Sequence, residues 1–268
     1  MSAHDGAVQD AQTQLSELLR VYARRSLWFH RYPLVTVRII RLLLRLPVLP
    51  YAAAGDSPEQ TLVTGSLPRR GLPRLTVVQE ARHVLTLPDA GTPYNAGPAR
   101  ATQRRKARAA VKLGVTSRLI TDEAERHHLL EVANAFEREH PQEGYRTRQP
   151  DNHDLLDVDL WMAAFEGDEP ILLVVIPVNG EFAALRYFRT LTHTDASSAA
   201  RYLMTETVAE ELVRRDVRYL CDHVNPLRLP RGLFHFAQMV GYRVVRVRPQ
   251  GSRVVAPGRG VEELEDHH

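Results

Sequence analysis

The chain has 268 residues, 44% of them apolar and 25% charged, which is the composition of a globular protein long enough to bury a substantial core. Its single cysteine, Cys221, excludes a disulfide framework and a cysteine-rich zinc site and suits a reducing compartment. The formal net charge is only +3, yet 33 of the 35 basic residues are arginine and they are unevenly placed, which fits either the codon usage of a GC-rich genome or selection for phosphate binding.

Met1 to Gln14 is polar and the apolar run that follows starts late and is broken by arginine, so no secretory leader is expected and a cytoplasmic location is. Ser16 to Pro50 holds seven arginines and one acid, Glu17. Within it, residues 33–46 set Arg38, Arg41 and Arg45 on one helical stripe among leucine, isoleucine and valine. A helix of that length reaches about 20 Å at 1.5 Å per residue, short of a hydrocarbon core of about 30 Å. It is expected to pack on the domain with its arginines in water; the alternative is a peripheral membrane contact on an anionic bilayer surface. Residues 1–52 thus read as a basic amphipathic helical extension.

Ala53 to Arg74 is rich in Gly, Pro and Ser and lacks periodicity, so it reads as a linker, followed by one or two short strands in Leu75 to Leu87 and a Gly/Pro loop to Pro98. The basic run from Arg100 to Arg118 contains no acid. Pro98 and Gly114 bracket a helix of about four turns whose outward face carries Arg104, Arg105, Lys106, Arg108 and Lys112. That face suits the phosphates of a nucleic acid, or is simply solvated.

Beyond Gly114 the pattern predicts a strand over Val115 to Ile120, an amphipathic helix over Asp122 to Glu139, a polar loop, and a hairpin of Trp161 to Phe165 and Ile171 to Val178 turned at Gly167-Asp168. Asn179-Gly180 predicts a two-residue turn into a strand over Phe182 to Leu191. Ala196 to Arg215 places Ala199, Leu203, Val208 and Leu212 at helical spacing, with Asp195 as the expected cap. A short strand over Val217 to Cys221, a helix over Leu233 to Val240 that stops at Gly241, and an alternating strand over Tyr242 to Arg248 complete the order. Residues 250–268 are poor in apolar side chains and are expected to form a mobile tail. His127, His128 and His153 lack partners at metal-ligand spacing, and no metal is expected.

From Val115 onward the order of strands and helices resembles the GNAT acyltransferase superfamily, and Leu229 to Arg243, LPRGLFHFAQMVGYR, resembles its late helix entering a Gly-aromatic strand. Gln103 to Val115, QRRKARAAVKLGV, is similar to the basic helix before the transferase core of the Fem-type branch, whose members use aminoacyl-tRNA as acyl donor. The resemblance covers residues 99–249 and implies an α/β (α+β) fold, a mixed central sheet flanked by helices, acting as an N-acyltransferase on an amine acceptor. It implies aminoacyl-tRNA or acyl-CoA as co-substrate; the alternative is a non-catalytic module of the same fold that holds RNA or another polyanion. Two departures bear on the donor and the acid. Thr192 to Arg201 has no glycine where acetyl-CoA-dependent members cradle a pyrophosphate, and it carries Asp195 there; the position of a common general-acid tyrosine is Ala237.

The resemblance makes Asp222 and His223, at the end of the short strand after the long helix, the catalytic candidates. Alternation puts Cys221 on the face of His223, so a thiol nucleophile is weighed against simple packing. Arg186 and Tyr187 should face opposite sides of the central strand, one of them into the cleft. Thr194, Ser197, Ser198, Arg201 and Tyr202, at the start of the long helix, and Asn225, in the loop after Asp222, are the remaining substrate-binding candidates.

Overall fold

The computed structural model describes residues 3–22, 31–67, 76–143 and 146–250; the expected tail lies outside them from residue 251. The amino-terminal part forms α1 (Ala3–Tyr22), α2 (Pro33–Arg45), β1 (Val48–Ala52), α3 (Pro58–Ser66), α4 (Thr76–Glu80) and β2 (Ala81–Thr86). A 3-10 turn (Pro98–Arg100) leads into α5 (Ala101–Lys112), then β3 (Val115–Leu119) and α6 (Glu123–Glu139). After a second 3-10 turn (His153–Asp157) come β4 (Trp161–Glu166), β5 (Glu169–Val175), β6 (Val178–Asn179), β7 (Phe182–Leu185) and β8 (Tyr187–Thr190). The chain continues through α7 (Asp195–Arg214), β9 (Tyr219–Asp222), α8 (Arg231–Met239) and β10 (Arg243–Gln250).

The strands form a six-stranded mixed sheet, β1-β10-β2-β9-β7-β6, and a four-stranded antiparallel sheet, β3-β4-β5-β8. The chain passes between them several times, and most directly from β7 to β8. β7 runs parallel to β9, pairing Phe182 with Tyr219 through Leu185 with Asp222, and β8 pairs antiparallel with β5. The break falls at Arg186, whose amide donates back to Ala184 O at 2.9 Å instead of to a neighbouring strand. At that point β8 leaves β9 for the four-stranded sheet, and the parallel pair opens into a wedge.

Local chemistry explains most elements. Thr194, not Asp195, caps α7: its side chain accepts from Ser197 N at 3.0 Å, and Ser197 Oγ accepts from Thr194 N at 3.1 Å, closing a capping box and leaving Asp195 in the first turn. Asp122 caps α6 by accepting from Glu125 N at 2.8 Å. The β6–β7 turn is centred one residue later than expected, on Gly180-Glu181 with Gly180 at φ 58°. Asn179 is instead a buried strand residue that accepts from Tyr51 Oη and Ala54 N and donates to Ala54 O, clamping the end of β1 to the hairpin.

The expected linker requires correction, because α3 lies inside it. Ser57 accepts from Gln60 N, Pro58 opens the first turn, and Val63 is buried with Leu67, Tyr51 and Val245 beneath the six-stranded sheet. β1 and β2 likewise belong to that sheet, on either side of β10. The main core lies between the sheets and α5 and α7; a second packs Trp161, Leu129, Ala133 and Tyr187 under α6. A third seats Leu15 and Leu19 of α1 against Ile39, Leu42 and Leu43 of α2. Among the described residues no helix is long and apolar enough to cross a membrane.

Candidate active site

The end of β9 meets the break between β7 and β8 through Leu185, while α7 and α8 meet over β8 through Tyr202, Phe236 and Phe188. Asp222 ends β9, its carboxylate accepting from Val224 N at 2.9 Å. Burial raises its pKa, against the lowering effects of that amide, of His223 and of Arg82. The carboxyl group thus keeps a proton to higher pH than an exposed aspartate.

His223 follows with its ring 42% exposed and Nδ1 2.7 Å from Leu185 O. A carbonyl only accepts, so Nδ1 carries a proton, and in the neutral ring Nε2 holds the lone pair. One hydrogen bond therefore selects the tautomer and ties the end of β9 to the last residue of β7 before the strands part.

The apolar lining comes from both sides. Phe236 of α8 meets Tyr202 edge-on at 5.2 Å between ring centroids and Phe188 of β8 at 6.1 Å, and the Arg201 guanidinium lies 5.3 Å over the Phe236 ring. Arg201 forms no ion pair with Asp195; its Nε is buried without a hydrogen-bond partner. Tyr202 O accepts from Gln103 of α5, so the basic helix is bonded directly to this part of α7.

Arg186 and Tyr187 are not divided between the two faces, as strict alternation would have it. The break releases the backbone, and both reach toward α6 and the 3-10 turn before β4. Arg186 makes a two-pronged bond to Asp154 at 2.8 and 3.0 Å, while the buried Tyr187 donates to Glu137 Oε1 at 3.0 Å, a carboxylate also paired with Arg189. Phe188 instead turns toward Phe236 of α8 and the main core. Asn225 sits beside the wedge with its amide used at both ends, donating to Val78 O and accepting from Leu227 N.

Thr194 and Ser197 are spent on the cap of α7, Ser197 Oγ also donating to a backbone carbonyl at Thr192 or Thr194, whereas Ser198 is exposed. The start of α7 is therefore crowded by its own capping groups and by Asp195. The thiol nucleophile is excluded by burial: Cys221 sits in the core under α3, and desolvation pushes its pKa up to about 12.

On α5, Arg105, Lys106, Arg108 and Lys112 are exposed, whereas Arg104 is half-buried and donates to the carbonyls of Asn95 and Gly97. Four of the five basic residues thus present their charges to solvent, and the fifth holds the loop before the helix. Among the described residues no three His, Cys, Asp or Glu side chains are grouped to hold a metal ion.

Sequence reasoning missed two neighbours of Asp222. Tyr242 opens β10 inside the core, and burial together with the charge of Asp222 lifts its pKa well above the ordinary value. His83, on β2, is 1% exposed, and both ring nitrogens lack partners among the described residues. The pairing of Val84 with Cys221 brings His83 and Asp222 to matching positions one residue on, beside Leu185 and Val244 in the same row. The available signal was a histidine in the middle of the β-prone run ARHVLT.

Desolvation lowers the pKa of His83 from 6.5 to about 3. Between those values the unfolded chain binds a proton that the folded chain refuses, so stability falls as pH falls, by up to about 1.4 kcal/mol per pH unit. Going from pH 6.5 to pH 5 should cost about 2 kcal/mol through this group alone. Urea unfolding across that range should show the loss, and His83→Phe should flatten it; an unchanged pH slope in the variant would mean that other groups set it.

No family model matches the chain, and no curated protein is similar to it. Among solved structures, it is similar to the C-terminal DUF2156 domain of a protein assigned as a lysylphosphatidylglycerol synthetase from Agrobacterium fabrum, at 14% identity and a TM-score of 0.40. The likeness covers 56% of this chain and 51% of that one, so the chain spans about half the length of the structure it matches.

Proposed function

We propose that the chain is an N-acyltransferase that moves an acyl or aminoacyl group to an amine acceptor, with a donor other than acetyl-CoA, such as aminoacyl-tRNA. The observation that carries this reading is the parallel β7–β9 pair that parts at Arg186 beside Asp222 and His223. Such a wedge accepts an extended acyl chain between the strands and offers the freed backbone for alignment. In the neutral tautomer selected by the bond from Nδ1 to Leu185 O, His223 Nε2 carries the lone pair and takes the proton from the attacking amine. Asp222 supports it from the buried side.

The choice of donor rests on α7 and α5. The first turn of α7 has no glycine, carries Asp195 and is closed by its own capping box, which leaves little room for a pyrophosphate. α5 offers Arg105, Lys106, Arg108 and Lys112 in solvent and is bonded to α7 through Gln103, a path from a bound polyanion to the wedge. The same face supports the second reading, a non-catalytic module for RNA. The outward face of α2, with Leu34 85% exposed and Arg38, Arg41 and Arg45 around it, gives either form a surface for an anionic bilayer.

The test is binding of bulk tRNA as a function of salt, with and without Arg105→Ala, Lys106→Ala and Arg108→Ala. Each lost phosphate contact should reduce the slope of log affinity against log salt by about 0.7 to 0.9. Charged tRNA added with an amine pool should then yield an amide product. Salt-independent or absent tRNA binding removes the tRNA donor; tRNA binding without turnover leaves the binding module.

A further inference from the structure

A cavity of about 260 Å³ lies between α1 and the edge where β2, α8 and the start of β10 meet. Its outer wall is one face of α1, where Gln9, Gln12, Thr13, Ser16, Glu17 and Arg20 recur at helical spacing. That stripe overhangs a cavity while the apolar face, Ala11, Leu15 and Leu19, packs on α2. Gln12 pins the wall by donating to Val244 O at 3.3 Å. The floor is the His83 ring, held between Phe234 at 5.1 Å and Tyr242 at 6.5 Å.

A buried neutral imidazole needs both a donor and an acceptor for its two nitrogens, and leaving either bond unmade carries the desolvation penalty of that group. His83 makes neither bond among the described residues. The rim adds charges of both signs: Glu17, Arg20 and Arg243 line the cavity, and none of them forms an ion pair among the described residues. The volume lies below the roughly 300–1,000 Å³ of sites for drug-sized molecules, so the occupant is small.

We propose that this cavity is a binding site for a small zwitterion of amino-acid size, its carboxylate held by Arg20 and Arg243, its ammonium by Glu17, and its side-chain end hydrogen-bonded to His83. The inference does not depend on acyl transfer. It explains why a polar helix face overhangs a cavity and why an unsatisfied histidine sits at its base. Since Tyr242 both lines the cavity and feels the charge of Asp222, an occupant would lie next to the wedge.

The test uses the intact chain labelled with ¹⁵N-histidine, with the His83 ring signals identified by their loss in His83→Phe. Each of the protein amino acids is added at millimolar concentration, with acetate and ethylamine as single-charge controls. Saturable movement of the His83 signals by one or a few amino acids, but by neither control, is expected. Glu17→Gln and Arg20→Gln should each weaken that binding about tenfold, while the rest of the spectrum stays folded. No movement with any amino acid, equal movement with acetate or ethylamine, or unchanged affinity in both rim variants would overturn the proposal.

Discussion

Glu80→Ala should lower the unfolding free energy by about 3 to 5 kcal/mol, because it strands a buried arginine. Glu80, at the end of α4, is 2% exposed and accepts from Arg246 Nε at 2.9 Å and from Arg248 Nε at 2.7 Å. Burial by itself would raise its pKa, but the bonds from Arg248 and Arg246 outweigh that and hold the carboxylate below its ordinary value. The Arg246 side chain is 9% exposed, so it cannot find water when the carboxylate goes; the Arg248 side chain is 50% exposed and can. Arg248→Ala should therefore cost no more than about 1 kcal/mol. Urea unfolding at neutral pH measures both, and Glu80→Gln, which keeps the shape, serves if the alanine variant does not fold. A loss below 1 kcal/mol for Glu80→Ala, or equal losses in the two alanine variants, would mean that Arg246 is better hydrated than its burial implies.

The pair also has a positional role. Glu80 immediately precedes β2 and binds two residues of β10, so it fixes the strand that carries Arg82 and His83 beside Asp222. Its loss should therefore disturb the wedge as well as the fold.

On the proposed acyl transfer, His223→Gln should lower turnover by about 10²- to 10⁴-fold, the usual contribution of a positioned base. Glutamine can still donate to Leu185 O, so the tie between β9 and β7 survives while the lone pair of Nε2 is lost. Asp222→Asn should fall in the same direction, with its bond from Val224 N retained through the amide oxygen. Single-turnover formation of the amide from charged tRNA, followed beside tRNA affinity, separates the effects: chemistry should fall while binding to α5 stays within about twofold, under 0.5 kcal/mol. Full activity in both variants would remove Asp222 and His223 from the reaction.

Elements whose signal is local were legible without coordinates. The glycine at position 241 adopts φ 92°, the aspartate at 122 caps α6, and alternation around Gly167-Asp168 yields the β4–β5 hairpin. The order of elements from residue 115 onward follows from such short-range patterns, each set by a few neighbouring residues. So does the placement of Asp222 and His223 at the end of β9.

What only the tertiary structure decided was every feature that depends on partners distant in the chain. β1 pairs with β10 far along the chain, Val48 with Arg246, and no periodicity within Ala53 to Arg74 announces that its flanks enter one sheet. The break at Arg186 overrode alternation, because Arg186 and Tyr187 found Asp154 and Glu137 on the same side. Ser197 and Cys221 had suitable chemistry and lost it to a capping box and to burial. His83 is the converse case. A histidine in a β-prone run is a weak signal, and it became a candidate only when α1, α8 and β10 closed around it and left both nitrogens without partners among the described residues. Local conformation is set by the residues next to one another, whereas desolvation, and hence chemistry, is set by whatever the fold brings on top.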